Sequence, residues 1–121
     1  MLKGINPLLR GELLKVLDEM GHGDQLLVVD RNYPSYAPGK PVIEVAIPSI
    51  LEVAEAIFEV FPLDSFLKHP LEKMEVDQDP TKSNPVQDAL LKQARAVHQP
   101  DLRQGVSIRR RLRALSARVL P

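Results

Sequence analysis

At 121 residues the chain has room for one hydrophobic core and not two. Sixteen basic residues balance sixteen acidic ones, so bulk charge does not commit it to nucleic acid or to an anionic membrane surface. There are no cysteines, which excludes a disulfide framework, a thiolate metal site and a cysteine nucleophile.

The cysteine count also favours an intracellular protein. With two tyrosines, three phenylalanines and no tryptophan, aliphatic side chains must build the core. The N-terminal stretch MLKGINPLLRGELLKVLDEM carries charges throughout and lacks the apolar region and small-residue cleavage site of a leader. No run approaches the roughly 18 apolar residues of a membrane span. The expectation is a soluble, cytoplasmic protein.

Residues 11–20 place Leu13, Leu14, Leu17 and Met20 on one helical face, with Lys15, Asp18 and Glu19 on the other. Gly21 is positioned to end that helix as a left-handed C-cap. Residues 25–30, QLLVVD, hold four consecutive aliphatics and predict a strand buried on both faces. Residues 31–41 contain three prolines and a glycine and must be a loop. A second strand is predicted over 42–46. From Pro48 and Ser49 a helix runs to about Phe61, with Ile50, Val53, Ala54, Ile57, Phe58 and Phe61 on its apolar side. Pro62 stops it.

Residues 71–76 predict a third strand, and the turn-rich DQDPTKSNP follows. Asn84 can cap a helix with Pro85 at its first position, running to about His98. Helices alternating with short buried strands predict a three-layer α/β/α sandwich around a mostly parallel sheet.

The tail differs. Residues 1–102 carry ten bases against sixteen acids, net −6, whereas residues 103–121 carry six arginines and no acid, net +6. The expected organisation is an α/β domain over 1–102 and a basic, atypical segment over 103–121. In that segment VSI is strand-like, and Ile108, Leu112, Leu115 and Val119 fall at helical spacing. The tail is therefore read as a basic amphipathic helix.

The chemistry concentrates in EMGHGDQLLVVDRNYP, residues 19–34. His22 lies between Gly21 and Gly23, whose lack of side chains leaves an imidazole accessible. A free imidazole has a pKa near about 6.5, suited to moving protons at neutral pH. Asp30 ends the first strand, and ligands of open α/β sheets bind beyond the carboxyl ends of strands. From spacing alone, a solvated His22 and a turn-forming Asp30 remain the more common outcome. Asp77, Asp79, Thr81, Ser83 and Asp88 only loosely imitate a calcium loop. Lys82 stands where the sharp turn needs glycine, and no bidentate glutamate closes it. His69 and His98 stand alone.

The segments MLKGINPLL, ELLKVLDEMGHGD, the strand ending in Asp30 with RNYP after it, PVIEV, FPLDSF, MEVDQDPT and NPVQDAL together resemble the D-ribose pyranase / L-fucose mutarotase family. The fucose branch is the nearer, and the similarity is nearly collinear from Met1 to about Ile108. The resemblance implies a mutarotase that interconverts the anomers of a monosaccharide by acid–base catalysis. It implies His22 as proton donor and Asp30 as a sugar ligand. Arg110 is the counterpart of a family arginine that binds sugar. No cofactor or metal is implied. The expected partners are the sugar and further copies of the chain, from dimer to decamer, with active sites at subunit contacts. Neither nucleic acid nor membrane is expected.

Family members carry a Phe-Ala…Tyr…Arg-Ala helix, a further strand and a Tyr-Gly-Asn segment, where this chain has RRRLRALSARVLP. The last strands are thus expected to be missing and activity impaired. The Arg, Leu, Ala and Ser bias of the tail is what GC-rich codons give when read out of frame, so a frameshifted end is the expected cause. The alternative function is a non-catalytic monosaccharide-binding or assembly module with a basic tail.

Overall fold

The computed structural model describes residues 1–46, 49–64, 66–67, 70–98, 107–109 and 115–120. The element order is α1 (Gly11–Glu19), β1 (Leu26–Val29), β2 (Val42–Ala46), α2 (Ile50–Val60), β3 (Glu72–Met74), α3 (Pro85–His98), β4 (Ser107–Arg109) and β5 (Leu115–Leu120). The fold class is α/β, as the sequence predicts, and every strand pair within these strands is parallel. Among the described residues no helix is long and apolar enough to cross a membrane.

The chain forms two compact units, Met1–Val60 with Arg113–Pro121, and Phe61–Leu112. In the first, α1 buries Leu13 and Leu17, one turn apart on the predicted stripe. An Asn6 turn leads into it: the Leu8 N–H donates to Asn6 Oδ1 at 3.0 Å and the Leu9 N–H to Asn6 O at 2.9 Å. β1 buries Leu27 and Val29 and leaves Leu26 and Val28 half-buried, so the apolar run is less symmetrically covered than expected. α2 packs against β1 and buries Val53, Ala54, Ala56 and Ile57. Ala56, fully buried, was not on the expected stripe, where Phe58 and Phe61 are only half-buried. A small side chain allows close approach where a bulky one would not fit. Ser49 starts α2 as predicted, its Oγ accepting the Glu52 N–H at 3.4 Å.

The tail corrects the sequence reading. Residues 115–120 form a strand and not part of an amphipathic helix. β5 lies between β1 and β2, with Leu26 level with Leu115 on one side and Val42 level with Ser116 on the other. β1 and β2 are not paired with each other, so each would otherwise present an open row of amides and carbonyls. A strand between them pairs both rows at once, which a helix cannot do. The tail thus supplies the middle strand of this three-stranded sheet. The strand-like VSI is realised as β4, one residue on.

In the second unit β3 pairs with β4. Asn84 caps α3 as predicted: its Oδ1 accepts the Gln87 N–H at 2.8 Å. The Gln87 side chain ties α3 to β3 by donating to Met74 O at 2.9 Å. The acids that imitated a calcium loop serve turns and caps. Asp79 Oδ1 accepts the Thr81 hydroxyl at 2.6 Å and the Thr81 N–H at 2.9 Å, and Asp88 Oδ1 accepts the Ser83 hydroxyl at 2.7 Å.

Between Val76 and Asp79 the chain reverses on Asp77 and Gln78, at φ 52° and 59°. Two successive positive values define the type I′ turn, which favours Asn-Gly. Left-handed backbone costs a residue with a side chain about 1–2 kcal/mol, and glycine's extra freedom when unfolded offsets about 0.4–1 of that. Gln78→Gly should therefore raise unfolding stability by about 0.5–1 kcal/mol. An unchanged or lower urea midpoint would refute the strain.

The Thr81 hydroxyl and then the Thr81 N–H hold the Asp79 carboxyl below its ordinary value of 3.8. A depressed folded-state pKa contributes stability that is present above the unfolded value and is lost as pH falls through the folded one. In Thr81→Val the Asp79 carboxyl, followed by NMR, should titrate at higher pH than in the wild type. The loss of stability below pH 3.8 should also be shallower. Coincident titration curves would remove the hydroxyl as the cause.

Candidate functional site

His22 sits on a four-residue turn, Gly21–Asp24, between α1 and β1. The turn closes in the main chain, where the Asp24 N–H donates to Gly21 O at 3.1 Å. It closes again through a side chain, where the Gly21 N–H donates to Asp24 Oδ2 at 2.8 Å. Gly23, third in the turn, has φ 89°, the positive value that a type II turn requires there. His22 is thereby carried at the tip of a doubly closed loop, and all four turn residues are exposed.

The predicted left-handed cap at Gly21 is not what ends α1. Met20 leaves the helix in extended conformation (φ −73°, ψ 138°), its N–H donating to Val16 O at 3.2 Å. The left-handed glycine is Gly23, two residues later, and it shapes the turn and not the cap. A Cβ at either position would meet nothing within 4 Å, so only backbone conformation separates them.

Asp30 stands exposed just past the carboxyl end of β1. Its Oδ1 accepts the Asn32 N–H at 2.9 Å and its carbonyl the Tyr33 N–H at 3.3 Å. These bonds fix where the carboxylate points. Among the described residues Oδ2 has no protein partner, so it can accept a hydrogen bond from a ligand hydroxyl. The loop that follows is anchored twice. Ser35, 1% exposed, is its buried polar side chain, and its N–H donates to Tyr33 O at 2.8 Å. The Tyr36 hydroxyl donates to Glu44 Oε1 on β2 at 2.9 Å.

The two candidate groups lie at opposite ends of β1, whose four residues span about 13 Å. One copy of the chain does not bring them together along that strand. Arg110 and His69 lie outside the described residues. The roles of Asp24 and Tyr36 were not read from the sequence. The cluster of Gly21, Gly23 and Asp24 is turn-forming in composition and could have indicated that Asp24 belongs to a turn. Tyr36–Glu44 joins a proline-rich loop to a strand and leaves no pattern in the sequence.

Residues 3–115 match the RbsD / FucU transport protein family. The chain belongs to this family. The L-fucose mutarotase of Glaesserella parasuis serovar 5 is 43% identical over 75 residues, which cover 62% of this chain and 51% of the relative. That of Actinobacillus pleuropneumoniae serotype 5b is 36% identical over 91 residues, 75% of this chain and 63% of the relative. The chain thus spans about half to under two thirds of the length of these relatives. In three dimensions it resembles the Streptococcus pneumoniae fucose mutarotase crystallised with L-fucose. The TM-score is 0.79 at 28% identity, covering 98% of this chain and 88% of the other. The RbsD/FucU match contains the whole His22 turn, β1 and Asp30.

The turn geometry makes a contrast between two glycines. Gly23→Ala should destabilise the protein by about 1 kcal/mol, because alanine there must adopt a left-handed conformation. Gly21→Ala should change stability by less than about 0.5 kcal/mol. Equal losses in thermal denaturation would contradict the type II assignment.

Proposed function

We propose that this chain is a carbohydrate mutarotase of the cytoplasm, acting as an oligomer on the anomers of a monosaccharide such as L-fucose or D-ribose. The observation that carries this reading is the match over residues 3–115, within which His22 stands at a held turn tip and Asp30 is oriented at a strand end. The L-fucose bound in the similar Streptococcus pneumoniae structure supports the ligand class.

The chemistry needs little. The bond between the anomeric carbon and the ring oxygen breaks, the ring oxygen gains a proton, and the anomeric hydroxyl loses one as it becomes the aldehyde oxygen. Rotation about the bond to the aldehyde carbon and closure by the reverse steps give the other anomer. His22 is the donor to the ring oxygen, and Asp30 holds a sugar hydroxyl through Oδ2. Arg110 is the further sugar ligand that the family resemblance supplies. Water takes the proton from the anomeric hydroxyl and returns it on closure, and positioned acid–base groups contribute about 10²–10⁴-fold to proton transfers of this kind.

The strand between His22 and Asp30 bears on assembly. A site that uses both draws His22 from one copy and Asp30 from another, which fits an oligomer with its sites at subunit contacts. Saturation-transfer NMR on fucose, ribose and galactose should show anomer exchange above the buffer rate. His22→Ala should lower it about 10²-fold or more. Mixing the inactive His22→Ala and Asp30→Ala variants should restore part of the rate, because some contacts then pair two intact halves. Exchange no faster than buffer at high protein concentration would overturn the enzyme reading. Undiminished exchange in His22→Ala would overturn the role of His22.

A further inference from the structure

We infer that Asp24 is a positioning residue for His22, acting through the Gly21–Asp24 turn. The inference rests on the mutarotase reading for its kinetic consequence and on geometry alone for its structural one. Three other loop carboxylates among the described residues reach forward. Asp30, Asp64 and Asp79 each accept the N–H two residues on, at 2.9 Å in all three cases. Asp24 reaches back, to the Gly21 N–H at 2.8 Å, across the residue the chemistry needs.

That direction matters because of what surrounds His22. Its neighbours are both glycines, the residues that lose most conformational freedom on folding. A Cβ built at Gly21 or Gly23 would meet nothing within 4 Å, so neither glycine is wedged in place by a neighbour. The turn residues are exposed, and water competes for the single main-chain bond that closes the loop. The Asp24 carboxylate adds a second, charge-assisted closure over the same residues. With both in place the imidazole is presented from a defined backbone. With one, the loop samples orientations from which the proton does not reach the ring oxygen. The carboxylate does not touch the sugar, so the effect falls on turnover and not on binding.

The test compares Asp24→Ala and Asp24→Asn in the full chain by saturation-transfer kinetics and by hydrogen exchange at the Gly21 amide. In Asp24→Ala the Gly21 amide should lose protection and kcat should fall about tenfold, the equivalent of one charge-assisted hydrogen bond, with KM unchanged. Asp24→Asn keeps an oxygen acceptor and should restore most of both. Wild-type Gly21 protection and wild-type kcat in Asp24→Ala would overturn the inference, as would a loss confined to KM. If the wild-type chain shows no exchange at all, the mutarotase reading fails. The hydrogen-exchange comparison still decides whether Asp24 closes the turn.

Discussion

The insertion of β5 between β1 and β2 is the pairing on which the first unit depends. β1 and β2 come early in the chain, yet neither hydrogen-bonds the other. Each finds its partner in a strand that begins at Leu115. The loop that joins them can therefore be long and irregular, because it crosses the width of a strand and need not form a tight hairpin. That loop starts at Asp30, so the strand order sets the space in which the carboxylate stands. It also makes the unit discontinuous in sequence, since residues 1–60 depend on a segment more than fifty residues away. Contacts of such separation carry a high loop-closure cost and form late.

Much of this architecture was legible. α1, β1, β2, α2 and α3 were expected within one or two residues of where they occur, because each has a local cause. Leu13 and Leu17 recur at helical spacing, Ser49 and Asn84 cap, and Pro85 opens a helix. β5 was not legible. In RRRLRALSARVLP the apolar residues fit a helical period, and arginine, leucine and alanine are strong helix formers. What decides the conformation is two unpaired strand edges far away in sequence, and no local window contains them. The same reasoning explains Gly21. A glycine after a helix most often caps it, but here the turn that follows needs its positive φ at Gly23, and Met20 leaves the helix extended without help.

The site was legible as residue types and not as geometry. His22 between two glycines and Asp30 at a strand end could be singled out by position. That they stand at opposite ends of β1 follows from the strand itself, and it changes what one copy can do. A strand is a rigid spacer of about 3.3 Å per residue, so four residues keep two groups apart more firmly than a loop of equal length. In the proposed mutarotase the two groups act together only when another copy supplies the missing half, so assembly becomes part of forming its site.

Single carboxylates fix several of the irregular segments. Asp30, Asp64 and Asp79, with Asn6 near the N-terminus, each accept an N–H two residues ahead and thereby set the first bend of a loop. Such a bend needs one side chain and no packing, which suits a chain with few aromatic residues and no disulfide. Asp30 sets its bend with Oδ1 alone, and among the described residues Oδ2 is left to accept a further hydrogen bond. Asp24 works differently, since its bond reaches back to the Gly21 N–H. A forward-reaching carboxylate orients itself, whereas a backward-reaching one orients the residues it spans. By that difference two aspartates six residues apart, alike in composition, take different structural roles: one sets the first bend of the loop after β1 and the other closes the turn that carries His22.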